Sequence, residues 1–307
     1  MVTPIAASVR ARLTNLAKER GEVVDRIFLR YAIERLLYRL AQSGYRDQFV
    51  LKGAMLFTLW APVPYRSTGD LDLLGSGNAA PERIAAIFAA VCAAPVDDDG
   101  VVYDASSVRA ESIRDDEDYG GVRVTITATL AAARQAIRID IGFGDAVTPG
   151  STDVDYPSLL GFPSPFLRAY PPETVVAEKL EALVALGMRN SRMKDFFDLW
   201  VIAKTFAFDG QTLAAAVAAT FERRGTPLPA SLPVALTETF WQDAGKQAQW
   251  RAFLRRTTLI LAPQPFPELV ACIASFVSPL IVTTTAMVGM TWPVGGPWVR
   301  VSETDGV

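Results

Sequence analysis

The stretch Arg66-Ser67-Thr68-Gly69-Asp70-Leu71-Asp72, followed by Leu73-Leu74, carries the reading from which the rest of the chain is understood. Its apolar and acidic alternation predicts a strand over residues 70–74. On a strand, residues i and i+2 point to one face, so Asp70 and Asp72 stand side by side. Two adjacent carboxylates repel unless something positive sits between them. A hard cation such as Mg²⁺, with Mn²⁺ as the alternative, takes oxygen ligands and leaves room for phosphate oxygens. Asp-x-Asp is also a frequent accident of loops, so the pair needs support from its surroundings.

Upstream, Phe49-Val50-Leu51 reads as a short strand entering a turn at Gly53, with a helix over residues 54–60. A glycine turn before a helix offers backbone amides to an anion, and Lys52 adds a point charge. The same pattern also describes a plain strand-turn-helix with an exposed lysine. Arg66 either holds a phosphate or pairs with an acid, while Ser67 and Thr68 shape the turn.

Downstream, Ile137-Arg138-Ile139-Asp140-Ile141-Gly142 is an apolar alternation interrupted by one acid. Chemistry that uses two metals needs a third carboxylate, and Asp140 is the candidate. The bland alternative is that Asp140 pairs with Arg138 or sits at a strand end, since a charge in mid-strand is costly unless paired.

A second cluster lies further on. Lys179 sits on a helix whose apolar face includes Val175, Val176, Leu180 and Leu183. Arg189-Asn190-Ser191-Arg192-Met193-Lys194 then leads into Asp195-Phe196-Phe197-Asp198. Asn190 or Ser191 is placed to cap the following helix. Asp195 and Asp198 are three apart and share a helix face. Arg189, Arg192 and Lys194 either hold phosphates or form a solvated loop, and Asp195 equally suits the positive end of the helix dipole.

Composition narrows the chemistry. The chain has 307 residues, half of them hydrophobic, enough for a large core. Its net charge of -3 means that nucleic-acid binding would need local basic patches. It contains no histidine, which excludes Ser-His-Asp and Cys-His catalysis and disfavours zinc. Cys92 and Cys272 stand apart in apolar surroundings and read as buried thiols in a reducing, cytoplasmic setting. The uncharged run from residue 269 to 299 is broken by Pro279, Thr283 to Thr285 and several glycines. It reads as a buried helix ending near Ser278 with an irregular tail, and no membrane association is expected.

Periodicity predicts helices at 8–19, 24–41 and 81–93, the second carrying Ile27, Tyr31, Leu36, Leu37 and Leu40 as its apolar stripe. Strands are predicted at 107–113, 122–130 and 136–143, with an acidic hairpin loop at 114–121. Pro62 and Pro64 break the chain before Asp70. After Pro149-Gly150, five prolines mark a connecting region. Helices follow at 173–186, 194–206, 211–223, 247–260 and 268–278. The expectation is an α+β chain, with an α/β domain over 1–160 and a helical domain over 161–307.

In order and in combination these motifs resemble the AbiEii-type nucleotidyltransferase toxins, which include the mycobacterial MenT group. The resemblance rests on Phe49-Val50-Leu51-Lys52-Gly53, Arg66 to Asp72, Arg138-Ile139-Asp140-Ile141-Gly142-Phe143-Gly144-Asp145, Ala177-Glu178-Lys179-Leu180-Glu181-Ala182, Lys194-Asp195-Phe196-Phe197-Asp198-Leu199 and Trp292-Pro293. It implies a DNA polymerase β-like nucleotidyltransferase domain with a mixed sheet, and a helical domain completing the active-site cleft. It further implies Mg²⁺-dependent transfer of a nucleoside monophosphate from an NTP to RNA, in better-understood relatives the 3′ end of tRNA. Such transfer blocks aminoacylation and translation, and a separate antitoxin protein counteracts it. By resemblance Asp70 and Asp72 bind metal with Asp140 as third carboxylate. Lys179 contacts nucleotide phosphates, and Asp195 acts as base or orients the acceptor hydroxyl. Lys52, Gly53, Arg66, Thr68, Arg189 and Arg192 would line the nucleotide. Ala54 departs from the serine or glycine common at that position, which implies altered nucleotide affinity. The rival readings are nucleotidylation of a protein, a glycosyltransferase using Asp-x-Asp, and a non-catalytic binding module.

Overall fold

The structure is a computed structural model that describes residues 4–61, 66, 68–113, 120–257, 259, 261, 265–282 and 287–301. The expected hairpin loop (residues 114–119), the prolines at 62 and 64, Ser67 and the threonines at 283–285 lie outside the described residues. The chain divides into two compact units. The first comprises Met1–Pro64, Thr68–Gly144 and Thr152–Ala169; the second comprises Tyr65–Ser67, Asp145–Ser151 and Tyr170–Val307.

Unit 1 opens with α1 (Pro4–Arg20) and α2 (Val24–Gln42), then β1 (Phe49–Lys52), a 3-10 turn at Gly53–Met55 and the short α3 (Leu56–Trp60). It continues with β2 (Asp70–Gly75), α4 (Pro81–Cys92), β3 (Val101–Ile113), β4 (Gly121–Leu130), β5 (Ala133–Phe143), β6 (Thr152–Asp155) and β7 (Phe166–Ala169). The seven strands form one sheet in the order β3-β4-β5-β2-β1-β7-β6. β2 pairs with β5 in parallel, as does β1 with β7, and the other neighbours are antiparallel, so the sheet is mixed.

Register explains the layering. Leu51, Leu73 and Ile141 lie opposite one another, as do Leu71, Ile139 and Val124. All are at most 1% exposed. Strand neighbours in register present their side chains to the same face, so this apolar face is the core, against which α2 and α4 pack. α2 is buried on more sides than its apolar stripe suggests. Arg35 and Arg39 are buried with it, both held by the carboxylate of Asp99 just before β3.

Unit 2 contains α5 (Pro172–Leu186), α6 (Met193–Thr205), β8 (Phe208–Asp209), α7 (Gly210–Arg223), α8 (Glu238–Trp241), α9 (Ala244–Arg256), α10 (Phe266–Val282), β9 (Met290–Trp292) and β10 (Val299–Arg300). Its helical character is as expected, with an added three-stranded sheet β10-β9-β8. Among the described residues no helix is long and apolar enough to cross a membrane.

Several boundaries differ from the pattern-based ones. β3 begins at Val101, because a register shift between Asp104 and Arg109 breaks the alternation that marks a strand. β6 and β7 occupy the proline-rich segment, where β7 is held by pairing with both β1 and β6. Such pairing leaves little trace in local composition. α9 stops at Arg256. α10 runs through Pro279; burial of Leu269, Ile273, Phe276, Val277 and Leu280 outweighs one missing backbone hydrogen bond. The tail is not wholly irregular, since Trp292 on β9 is buried and its indole donates to the Ala203 carbonyl at 2.7 Å. Cys92 is buried as expected, whereas Cys272 is only half-buried; both are free thiols.

Candidate functional site

The polar face of the unit 1 sheet carries a row of charges. Across four adjacent strands, Arg123 on β4 lies opposite Asp140 on β5, Asp140 opposite Asp72 on β2, and Asp72 opposite Lys52 on β1. Asp70 lies opposite Arg138 one step along. All six belong to one face by register, and none is buried. The three predicted carboxylates therefore share a surface, with cations at both ends of the row.

Like charges directly opposite one another on a sheet are unfavourable. Asp72 and Asp140 are such a pair, and the flanking cations offset part of the cost. Arg123 donates through Nε and Nη2 to the two oxygens of Asp140, each at 2.8 Å. That fork geometry is strong and directional. It also raises the Arg123 pKa, first through these hydrogen bonds. Arg138 Nη1 stands 3.7 Å from Asp70 Oδ1, with both side chains about half exposed. Asp140 therefore pairs with Arg123 rather than with Arg138. The register of the β4–β5 hairpin sets this partner, and the sequence patterns alone do not mark Arg123.

Gly53 fixes Asp72 from the other side. A Cβ added at Gly53 would lie 2.6 Å from Asp72 Cγ and 2.7 Å from its Cβ, and Gly53 has φ +71°. The glycine is needed twice, for a left-handed backbone and for the close approach of a carboxylate. The helix that follows is only five residues long and is preceded by a 3-10 turn. A strong helix dipole is thus missing here, and the turn's contribution is steric. Thr68 Oγ1 reaches the Asp70 carbonyl at 3.4 Å, which keeps it in the approach to β2.

The donors suit a hard cation. They are carboxylate oxygens in i and i+2 positions, as Mg²⁺ prefers. Asp70 and Asp72 have that i, i+2 spacing, while both oxygens of Asp140 accept from Arg123. As the side chains stand, no three His, Cys, Asp or Glu groups among the described residues converge on one point.

Gly53→Ala is expected to push Asp72 off this position. Backbone strain costs roughly 1–2 kcal/mol, and misplacing a reacting group by about 1 Å costs on the order of a hundredfold in rate. Thermal unfolding and catalytic rate measured on the same sample check this. An unchanged rate would show that the close approach has no functional role.

Unit 2 holds the second cluster. Lys179 Nζ on α5 lies 2.6 Å from Asp195 Oδ1 and 2.8 Å from Asp198 Oδ2, both on α6. Arg66 donates to both oxygens of Asp198, at 2.6 and 2.8 Å. Asp198 is 1% exposed and Asp195 6%. Two cations and two carboxylates thus balance in one buried cluster, with Arg66 taking the acid-pairing role. Burial lowers the Lys179 pKa, but Asp195 and Asp198 outweigh it and the net direction is upward. Burial raises Asp198, yet Arg66 and Lys179 bring it down to about 2.

That depression has a sign. A carboxylate lowered from 3.8 to about 2 stabilises the fold above the unfolded value. The contribution is lost as pH falls from roughly 4 toward 2. Five of the six tryptophans lie in unit 2, so their emission should stay native at pH 4 and shift only below it. A shift beginning above pH 5 would contradict the pairing.

The loop before α6 is arranged differently from the capping expectation. Arg192 is the N-cap and makes no side-chain cap bond. Asn190 Oδ1 instead accepts from the Arg192 amide at 2.8 Å. Arg189 and Arg192 are exposed. A third cluster, unforeseen from sequence, joins Arg224 to Glu181 at 2.7 Å and Asp145 at 3.1 Å. It ties Asp145 and the end of α7 to α5.

A family model described as nucleotidyl transferase AbiEii toxin, type IV toxin–antitoxin system, matches residues 35–272. No curated protein matches the chain. Two solved Helicobacter pylori structures align over 80% of this chain at a TM-score of 0.46. One, described as a nucleotidyltransferase, is 16% identical and covered over 90% of its length. The other, JHP933, is 15% identical and covered over 88%.

Proposed function

The chain belongs to the AbiEii nucleotidyl transferase toxin family of type IV toxin–antitoxin systems, and on that premise we propose that it transfers a nucleoside monophosphate from an NTP to the 3′ hydroxyl of an RNA. The acceptor we favour is the 3′ end of tRNA, whose blockage would stop aminoacylation and translation. A cognate antitoxin would relieve the effect.

The observation that supports this reading is the Lys52–Asp72–Asp140–Arg123 row with Asp70 beside it. Asp70 and Asp72 would hold Mg²⁺, which when bound supplies charge neutralisation and alignment for phosphoryl transfer. Arg123 keeps Asp140 oriented, and Gly53 keeps Asp72 in place. Lys52, at the end of the row, is a positive group suited to a phosphate oxygen. The family resemblance gives Asp195 as proton acceptor and Lys179 as phosphate contact. Within unit 2 their mutual 2.6 Å contact supports at least a shared role.

Periodate oxidation destroys the vicinal diol at an RNA 3′ end and so tests the acceptor. Labelled NTP should enter untreated total RNA and be absent from oxidised RNA. Equal labelling of both would remove the 3′ hydroxyl from the proposal. Label in total protein and none in RNA would favour a protein acceptor.

A further inference from the structure

We propose that the segment 189–194 and the outer face of α9 form a docking surface for the phosphate backbone of the acceptor RNA. This rests on the reading of RNA as acceptor. The surface carries Arg189, Arg192, Lys194, Arg251, Arg255 and Arg256, all exposed. Among the described residues none of the six side chains makes an ion pair or hydrogen bond. Elsewhere in unit 2 the cations Arg66, Lys179 and Arg224 are all paired with carboxylates.

The two segments are joined within unit 2. Lys246, in the first turn of α9, donates from Nζ to the Asn190 carbonyl at 2.8 Å. Further along, Phe253 of α9 packs on Phe197 of α6, with ring centroids 5.9 Å apart. Trp250 and Phe253 face α6 and α10, which turns Arg251 and Arg255 outward. These two are four residues apart, on one side of the helix and about 6 Å apart along its axis. Like charges at i and i+4 destabilise a helix, and α9 contains no acid to relieve them.

Unit 2 carries thirteen basic and thirteen acidic residues. The surface is therefore a local concentration and not a by-product of a basic chain. Its chemistry favours a polyanion over a protein. Protein interfaces centre on apolar and aromatic groups, and among the described residues neither 189–194 nor α9 exposes a large apolar side chain, Met188 just before them being the nearest in sequence. Cations without carboxylate partners are what a phosphate backbone needs.

The test is binding of a tRNA in the absence of NTP and Mg²⁺, followed by anisotropy as salt is varied. The R251Q/R255Q/R256Q variant should lose at least about tenfold in affinity. Its slope of log K against log salt should fall by roughly 2, near 0.7–0.9 per lost phosphate contact. R251K/R255K/R256K should keep the wild-type slope, and matching thermal unfolding should show that all three proteins are folded. An unchanged slope in the glutamine variant overturns the proposal. So does retained RNA binding with lost neutralisation by the antitoxin, which would assign the surface to a protein. Because neither NTP nor metal is present, loss of this surface's role and absence of nucleotidyl transfer are read separately.

Discussion

Asp72→Asn and Asp70→Asn should each reduce transfer of label from an α-labelled NTP to RNA by roughly a thousandfold or more, the scale of losing a preorganised charged group. Stability should change little for Asp72. Its carboxylate stands opposite both Asp140 and Lys52 in register, so removing one charge relieves a repulsion and gives up an attraction, each worth several tenths of a kcal/mol. Asparagine keeps the shape that fits against Gly53. Thermal unfolding on the same samples separates the alternatives. Loss of activity with unchanged or raised stability supports a functional pair, whereas loss of both would make Asp72 structural. Retained transfer by either variant would remove that carboxylate from the metal site.

Asp198→Ala should destabilise unit 2 by about 3–5 kcal/mol, the cost of breaking a buried ion pair from one side. The change removes the two hydrogen bonds that Arg66 donates to Asp198 and takes one of the two carboxylates from Lys179, which keeps Asp195. Arg66→Met should cost less, since Asp198 keeps Lys179 at 2.8 Å. Tryptophan emission during urea unfolding reports the difference. A loss below about 1 kcal/mol for Asp198→Ala would mean that the network is relaxed by water and contributes little.

Much of unit 1 was legible in local pattern. The strands at Val122 and Ile137 alternate because one face of each is buried and the other is not, and β2 does so from Asp70 to Leu73 before ending in the wholly buried Leu73-Leu74-Gly75. β6 and β7 were hidden because their pairing partners supply what their composition lacks. Asp70, Asp72 and Asp140 could be named from spacing, and register then placed Asp72 beside Asp140. Their cationic partners could not be named. Arg123 is 17 residues from Asp140 in sequence, and Arg66 is 132 from Asp198. Such pairs are set by which strands and helices meet, and a single sequence does not record that. Lys179, Asp195 and Asp198 could be singled out from helix spacing, and their roles from family likeness, while their joining with Arg66 shows only in the folded chain.

The most direct measurement is incubation of the purified protein with Mg²⁺, each α-labelled NTP in turn, and total RNA and total protein together. Label should appear in an RNA band with at least one NTP and disappear on addition of a chelator. It should also be absent with the Asp70→Asn protein. Label in RNA that persists in that variant, or no transfer from any NTP to either acceptor, would contradict a nucleotidyltransferase built on Asp70 and Asp72.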